Sequence, residues 1–397
     1  GAQEWESATK YSRLDGLARP GVVRVLCMCT AIAGLVATIG LMTTSMSMGD
    51  LPQLFRKTDK IPHTGGWCRG SGAADFSKVT LKRIVDRTFS GLLEFAGHEK
   101  KFEASDVTRV GKQLYVVCDS SWSIFRIDDR LPLLSSENQP LHPDVSFVPP
   151  AAEDSGFEVI LHDATSAADF YVIRESVYQD GEYSAHILKL AFNVSSYTVV
   201  ETCLSEMTFE GDSKGFEGGT SLRGKDGVLY VLGLCEGNHC SEKNGKDVGH
   251  GKVVVMAREE TPDGCRWKTV RQLNLPSSVR FVDYSAIAIH HSTQSVAVTS
   301  QENSQLWVGQ LAGGADGAFD PLAAEFSEGK VYDFPRSDSS CEATYCNIEG
   351  IHWISGSGEG GTMPSTLVAV SDKMKSKGRQ PAICHDKDQS IHLFSLP

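Results

Sequence analysis

One phrase recurs along the chain: an acidic residue opens a short apolar run, a turn follows, and a second, strongly apolar run ends in a polar residue. The clearest copy begins at Gly215-Phe-Glu-Gly-Gly-Thr220 and continues through Asp226-Gly227 to the apolar residues 228–234. Copies return about every 55 to 65 residues, a period in the range of propeller repeats. The opening acids are Glu103, Asp163, Glu217, Asp283 and Glu349.

Each copy predicts three or four short β-strands, of which the second is the most apolar. This order is typical of a β-propeller blade, whose second strand is packed between neighbouring blades. We therefore predict an all-β fold, a single β-propeller over residues 91–397 with five countable blades. A sixth blade stays possible within residues 130–160 or 73–95.

The two ends of the predicted propeller complement each other. The fifth copy reaches Pro397 before it has an outer strand, whereas residues 91–95, ahead of the first copy, have no obvious partner. We predict that residues 91–95 complete the last blade, because this pairing closes the ring and leaves no open sheet edge.

The N-terminal part has a different pattern. Residues 1–21 are polar, and no charged residue occurs between Val25 and Gly49. Such a run is long enough to cross a hydrocarbon layer of about 30 Å as a helix. A cleaved signal peptide is the alternative, but the run is long for one and no Ala-x-Ala site follows it. We predict a cytoplasmic tail over 1–21, a transmembrane helix over 22–48, and a linker with first strands over 49–90.

Cysteine usage indicates the compartment. Of 11 cysteines, the pairs Cys235/Cys240 and Cys341/Cys346 bracket short loops, a spacing that suits disulfides in an oxidising environment. Two halves of a zinc site are the alternative interpretation. Asn193-Val-Ser195 is an N-glycosylation sequon and predicts a glycoprotein. These features favour a single-pass membrane protein with its propeller on the extracellular or lumenal side.

The net charge of −12 argues against nucleic-acid binding, which needs clustered Lys and Arg. If the copies superpose, the opening acids converge at one end of the central channel, where they cannot all ionise unless a cation or hydrogen-bond donors offset the repulsion. Carboxylate oxygens suit Ca²⁺. The alternative is that each acid caps backbone N–H groups of the adjacent blade, which we favour for Asp163. The predicted metal ligands are Glu103, Glu217, Asp283 and Glu349.

Two further groups are candidates. Acids also follow the second strands and form a second set or simply end those strands: Asp119, Glu175, Glu236 and Asp372. His352 lies three residues after Glu349 and is the best candidate for a catalytic general base, with a surface or core histidine as the alternative. The sequence contains no nucleophile elbow, P-loop or His-Glu-x-x-His motif.

The phrases Phe102-Glu-Ala-Ser-Asp106, Gly215-Phe-Glu-Gly218 and Asn347-Ile-Glu-Gly350 resemble those of the SdiA-regulated and esterase-like phytase propeller families. The resemblance covers residues 90 to 397. It implies a five- or six-bladed propeller, often membrane-anchored or exported, with Glu-Gly acids that sometimes bind Ca²⁺. By position that role would fall on Glu103, Glu217 and Glu349, whereas Asp283 lies in Asp-Tyr-Ser-Ala and departs from the pattern.

Members of such families differ in activity, so function has to be inferred from the site. We expect a membrane-anchored propeller that acts as a binding or assembly scaffold and that Ca²⁺ stabilises. Its partners would be other membrane proteins, reached through the transmembrane helix or the propeller rim. The alternative is a Ca²⁺-dependent phosphoester or ester hydrolase at the channel mouth, where the metal would hold a small anionic ligand.

Overall fold

Short antiparallel strands make up nearly all regular structure in the computed structural model. It describes residues 79–93, 102–144, 154–166, 168–211, 214–236, 240, 248–262, 264–313, 319–354, 365–374 and 382–397. These residues belong to one unit, residues 66–397. The described chain enters through β1 (Val79–Thr80), β2 (Lys82–Thr88) and a short helix α1 (Phe89–Leu92).

The next strands form three antiparallel blades in sequence order. Blade 1 contains β3 (Ala104–Val110), β4 (Gln113–Cys118), β5 (Ser121–Asp128) and β6 (Gln139–Pro143). Blade 2 contains β7 (Phe157–His162), β8 (Phe170–Gln179), β9 (Glu182–Phe192) and β10 (Ser196–Phe209). Blade 3 contains β11 (Phe216–Arg223), β12 (Leu229–Cys235), β13 (Lys252–Thr261) and β14 (Gly264–Asn274).

Two more blades follow. Blade 4 contains β15 (Ala286–Ile289), β16 (Ser295–Ser300), β17 (Gln305–Ala312) and β19 (Lys330–Asp333). The two-residue β18 (Glu325–Phe326) also pairs with β17, and β1 adds to β19. Blade 5 contains β20 (Ile348–Ile354), β21 (Thr366–Ser371), β22 (Ser390–Ser395) and β2, with a 3-10 turn over Ala382–Asp386 before β22.

The first strands of the five blades form a closed ring. In the order β3, β7, β11, β15 and β20 each contacts the next, and β20 contacts β3 again. The second strands are almost wholly buried, as in β12 and β16, because neighbouring blades cover both faces. The chain is therefore a five-bladed β-propeller, and no sixth blade occurs in the described ranges, where residues 139–143 belong to blade 1.

Ring closure uses a different segment from the predicted one. The outer strand of blade 5 is β2, so both ends of the propeller do share one sheet. The described part of the predicted segment, residues 91–93, is not that strand, because Phe89–Leu92 form α1 instead, and residues 94 and 95 lie outside the described residues. Thr88 caps this helix by accepting from the Gly91 amide at 3.2 Å, and Phe89 and Leu92, three residues apart, are both buried.

The Glu-Gly phrase has a packing cause. Neighbouring first strands approach so closely that a Cβ on Gly218 would lie 2.8 Å from the Ala286 Cα, and one on Gly350 would lie 2.4 Å from the Asp106 Cα. A side chain at either position would force the blades apart, so glycine is needed there for close backbone approach.

Disulfides join parts of this framework. The predicted disulfide Cys235–Cys240 is confirmed. Cys346, however, pairs with Cys384 and not with Cys341. Cys341 is part of another disulfide. The zinc interpretation of these cysteines is therefore wrong, because oxidised sulfur atoms cannot act as thiolate ligands. A further bond, Cys203–Cys265, links β10 to β14, the outer strands of blades 2 and 3, which also pair in parallel.

No helix in the described part of the chain has the length and apolar character needed to cross a membrane. The predicted transmembrane helix over 22–48 and the predicted tail over 1–21 lie outside the described residues.

Candidate functional site

The central channel has an acidic end. Four amides that directly follow the paired stretches of second strands donate to carbonyls that directly precede the first strands: Asp119 to Glu103 at 3.0 Å, Glu175 to Gly156 at 2.7 Å, Glu236 to Gly215 at 3.1 Å, and Asp372 to Asn347 at 2.9 Å. Because paired antiparallel strands begin and end side by side, the second predicted set of acids lies at the same end of the blades as the opening acids Glu103, Glu217 and Glu349.

The register defines which acids are equivalent. Glu158, Glu217 and Glu349 each lie at an irregularity between the first and second strands of their blades. Ser105 takes this position in blade 1. In blade 4 the position is held by Ser285, since the following Ala286 lies against Gly218.

Glu158 is strongly perturbed by its surroundings. It is buried, and its pKa is raised well above the usual range by burial and then by the charges of Glu217, Glu175, Glu349 and Asp119. Glu217 and Glu349, two of the predicted ligands, thus both lie close enough to Glu158 to act on its charge. Such a group must be protonated or balanced by a cation.

The sequence reading missed Glu158 because it assigned Asp163 to blade 2. Asp163 lies beyond the other end of β7, where it forms an ion pair with Arg223 and accepts from the Thr165 amide at 3.0 Å. Burial opposes ionisation of Asp163, but these hydrogen bonds outweigh it and lower its pKa. The phrase Gly156-Phe-Glu158 repeats Gly215-Phe-Glu217 and would have identified the equivalent acid.

The other two predicted ligands are placed differently. Glu103 precedes β3, two residues before the equivalent Ser105, and its carbonyl receives the Asp119 amide. Asp283 accepts from the Ser300 hydroxyl and from two amides that follow β16, those of Gln301 and Glu302, both at 3.2 Å. The Asp283 carboxylate therefore caps the turn after β16.

The capping role expected of the repeated acids is performed by Asp106. This buried carboxylate on β3 accepts from the Ile160 amide of β7 at 3.0 Å, so it joins blade 1 to blade 2. Burial raises the pKa of Asp106 well above its usual range. A protein acceptor in this position satisfies a backbone donor that would otherwise be buried without a partner.

The described residues contain one group of three possible metal ligands whose donor atoms all lie within 4.8 Å of one another: Glu201, Cys203 and Cys265. Its two cysteines form the disulfide between β10 and β14, so it does not offer a thiolate site. The described acids of the channel do not provide three donor atoms that all lie within 4.8 Å of one another. Their oxygen donors fit Ca²⁺ or Mg²⁺ in kind, and a bound cation would have to draw them together.

The opposite end of the channel is rich in imidazole. A cavity of about 240 Å³ is lined by Arg109, Ile289, His290, His291, Ser292, His352 and Trp353. A second cavity of about 240 Å³ shares His291 and is lined mainly by residues of β11 and the loops beside it, including Ser221, Arg223 and Gln294. Between the two ends the channel holds a space of about 20 Å³, which is room for about one water molecule.

His352 faces this end of the channel. Burial, followed by the nearby His291, Arg109, His162 and His290, lowers its pKa to about 3. It lies three residues beyond Glu349 on β20, about 10 Å along an extended strand. The general-base role of His352 stays a prediction, and a base in this place would act among cationic groups and away from the acids.

A Ser–His–Asp arrangement occurs in blade 5, and the sequence reading did not identify it. Ser371 Oγ lies 2.8 Å from His392 Nε2, and His392 Nδ1 lies 2.9 Å from Asp86 Oδ1. The geometry matches that of a catalytic triad. However, His392 is 0% and Ser371 is 1% exposed, so no substrate can reach the hydroxyl.

This network joins the closing strand to its blade. Asp86 lies on β2, His392 on β22 and Ser371 on β21, and Asp86 also accepts from Lys387 Nζ at 2.7 Å and from the Tyr345 hydroxyl at 3.2 Å. Burial alone would raise the pKa of Asp86, but the hydrogen bonds from His392 and Lys387 hold it well below its usual range. The role of this constellation is structural.

No protein-family model and no curated protein sequence matches the chain. Its structure is similar to that of a glutaminyl cyclase from Myxococcus xanthus, with 9% identity, a TM-score of 0.42, and coverage of 81% of this chain and 99% of that one. A luciferin-regenerating enzyme shares 9% identity at a TM-score of 0.36, covering 78% and 94%. An auxiliary nutrient binding protein from Bacteroides thetaiotaomicron shares 11% identity at 0.34, covering 79% and 76%.

These structures have folds of the β-propeller type, and they include both enzymes and a binding protein. The narrower resemblance to SdiA-regulated and esterase-like phytase propellers is not confirmed. The class of this protein is a disulfide-bonded β-propeller, and its activity has to be inferred from its own residues.

Proposed function

We propose that the chain is a cation-dependent binding propeller of an oxidising compartment. The observation that supports this proposal is the burial of Glu158 between the charges of Glu217, Glu349, Glu175 and Asp119. A divalent cation of the Ca²⁺ type would remove the repulsion among these carboxylates and fix the first strands of blades 2, 3 and 5. Glu158, Glu217 and Glu349 would hold it.

The wider setting belongs to the same proposal. Three disulfides between described residues favour an extracellular or lumenal location. With the anchor proposed for 22–48, the propeller would present its rim to other membrane proteins and act as an assembly scaffold. Asn193, exposed in the turn between β9 and β10, would carry a glycan.

We propose binding rather than hydrolysis as the main role. A hydrolase at the acidic end would need a proton acceptor beside the metal and the substrate. His352, the predicted base, lies with Arg109 and the other histidines at the opposite end. Ester and phosphoester hydrolysis assays with and without chelator test the alternative, and turnover that depends on Ca²⁺ would favour it.

The test of the cation site is thermal unfolding of the purified full chain in Ca²⁺, in Mg²⁺ and in chelator. A cation at 100 times its dissociation constant should stabilise the fold by about 2.7 kcal/mol. Glu217→Gln and Glu349→Gln should each remove most of that gain. The matched control is Glu325→Gln, which changes an exposed residue of β18. If Ca²⁺ stabilises wild type and both Gln variants equally, the proposed site is wrong.

A further inference from the structure

The cavity at the imidazole-rich end is lined by hydrogen-bond donors from three chain segments. Arg109 comes from β3, His352 from β20, and His290, His291 and Ser292 from the turn after β15. No Asp or Glu is among the lining residues of this cavity. Its volume of about 240 Å³ exceeds what one water needs and can hold a small ionic group.

The acids that lie nearby are engaged elsewhere. Asp129 accepts from Arg109 Nε at 3.0 Å and from Nη2 at 2.8 Å through a single oxygen, which fixes the guanidinium. Asp163 pairs with Arg223 and with the Thr165 loop. Asp129 thus orients Arg109, and neither carboxylate lies in the lining.

His352 has unused hydrogen-bonding capacity. Within the described residues, no hydrogen bond engages its ring. Its pKa is lowered by burial, then by the charge that His291 acquires when protonated, by Arg109, and by the protonated forms of His162 and His290. Burial and two of the same neighbours, His290 and His162, lower the pKa of His291, whereas Asp163 raises it. An anion in the cavity would offset the repulsion between positive charges and so raise the pKa of both His352 and His291.

We propose that this cavity is a binding site for a small tetrahedral oxyanion, sulfate or phosphate as the free ion or as a small monoester. Donors approach the cavity from several directions, which suits an anion that accepts on all sides. A guanidinium held in place by a carboxylate is the usual group for recognising such ions. The site is separate from the acidic end of the channel and does not depend on a cation there.

Binding to this site should be linked to protons. A bound anion favours the charged forms of His352 and His291, so protons are taken up and affinity rises as the pH falls. If one proton is taken up per anion, affinity changes tenfold per pH unit. Because the site is partly open, added salt should weaken binding.

The experiment is isothermal titration calorimetry of the purified full chain, in chelator and low chloride, between pH 8 and pH 6. The probes are sulfate, inorganic phosphate and glycerol 2-phosphate. We expect saturable binding of sulfate, whose charge does not change in this range, to tighten toward pH 6, with proton uptake by the protein seen as a heat that depends on the buffer's ionisation enthalpy. Phosphate and the monoester take up protons themselves between pH 8 and pH 6, so they are compared with sulfate by affinity at one pH. A preference for the free ion or for the monoester would identify which of the two is the ligand.

The variants His352→Gln and His291→Gln should each weaken binding at least tenfold at pH 6 and reduce its pH dependence. His385→Gln changes an exposed histidine outside the channel and should leave binding unchanged. Circular dichroism and thermal unfolding check that each variant folds. If no probe binds saturably at pH 6, or if folded His352→Gln and His291→Gln bind like wild type, the inference is wrong.

Discussion

The buried network at the ring closure gives the sharpest prediction. Replacing Asp86 by Asn removes the charge opposite Lys387 and places an amide N–H₂ beside groups that are themselves donors, His392 Nδ1–H and the Tyr345 hydroxyl. The carboxylate accepts from all three at once, whereas the amide has one acceptor oxygen. The closing strand β2 should therefore be held less firmly to β22.

The expected loss can be worked out from burial. Removing one partner of a fully buried ion pair costs about 3–5 kcal/mol. The side chains of Asp86 and Lys387 keep 18% and 22% exposure, so part of the unpaired charge can be solvated. We expect Asp86→Asn to lower the free energy of unfolding by about 2–4 kcal/mol. Ser371→Ala, which removes one hydrogen bond to His392, should lower it by about 1 kcal/mol.

Equilibrium unfolding in urea at pH 7, followed by tryptophan fluorescence and circular dichroism, measures these differences. The matched control is Arg83→Ala, because Arg83 is a second cationic partner of Asp86 but is 57% exposed at 3.4 Å. Arg83→Ala should lower the free energy of unfolding by less than about 1 kcal/mol. If Asp86→Asn and Arg83→Ala lose the same small amount, the network does not hold the ring closed.

The network also predicts a pH dependence. Burial lowers the pKa of His392, so the unfolded chain binds this proton more readily and stability should fall as the pH drops below about 6.5. The pKa of Asp86 is lowered as well, so its contribution is present above about pH 4 and is lost as the carboxylate is protonated in more acidic solution. The difference between wild type and Asp86→Asn should accordingly shrink below pH 4.

Three further predictions concern other parts of the propeller. Glu158→Gln should be more stable than wild type in chelator at pH 7, because burial and like charges raise the pKa of Glu158. In urea unfolding, the difference in free energy of unfolding between the two proteins should become smaller toward about pH 4.5. A difference that does not change with pH would contradict this reasoning. Gly350→Ala should lower the free energy of unfolding by about 1–3 kcal/mol, because the added Cβ clashes with the neighbouring strand. Gly211→Ala should lower it far less in the same assay, because a Cβ there has no atom within 4 Å. Reducing the Cys203–Cys265 bond, or replacing both residues by Ser, should lower stability by about 2–4 kcal/mol; a thermal unfolding temperature equal to that of wild type would show that the parallel strand pairing alone suffices.

Several features of the fold were predictable because they are local in sequence. Short apolar runs at a regular spacing predicted the blades, and the most apolar runs are the buried second strands, such as β12 and β16. The Glu-Gly phrases marked real positions, since Glu217 and Glu349 do lie at equivalent points of their first strands. Cys235–Cys240 was also predictable, because a short loop brings its two ends together.

Other features depend on contacts between distant parts of the chain. Acids were assigned to blades by spacing, yet loop lengths vary, so Asp163 fell at the wrong end of β7 and Glu158 was missed. Cys346 pairs with Cys384 across blade 5, and no local rule distinguishes this bond from one with Cys341. The Ser371–His392–Asp86 network unites residues up to 306 positions apart.

The sequence by itself determined the repeat, the strand-rich composition and the acidic character of the protein, because each depends on a residue and its near neighbours. Only the tertiary structure decided which acids meet at one end of the channel and which histidines meet at the other. Curling the chain into a closed ring turns separations of more than 50 residues into neighbouring positions. The strength of an interaction between two charges depends on the distance between them in space and on their burial, and not on their separation along the chain.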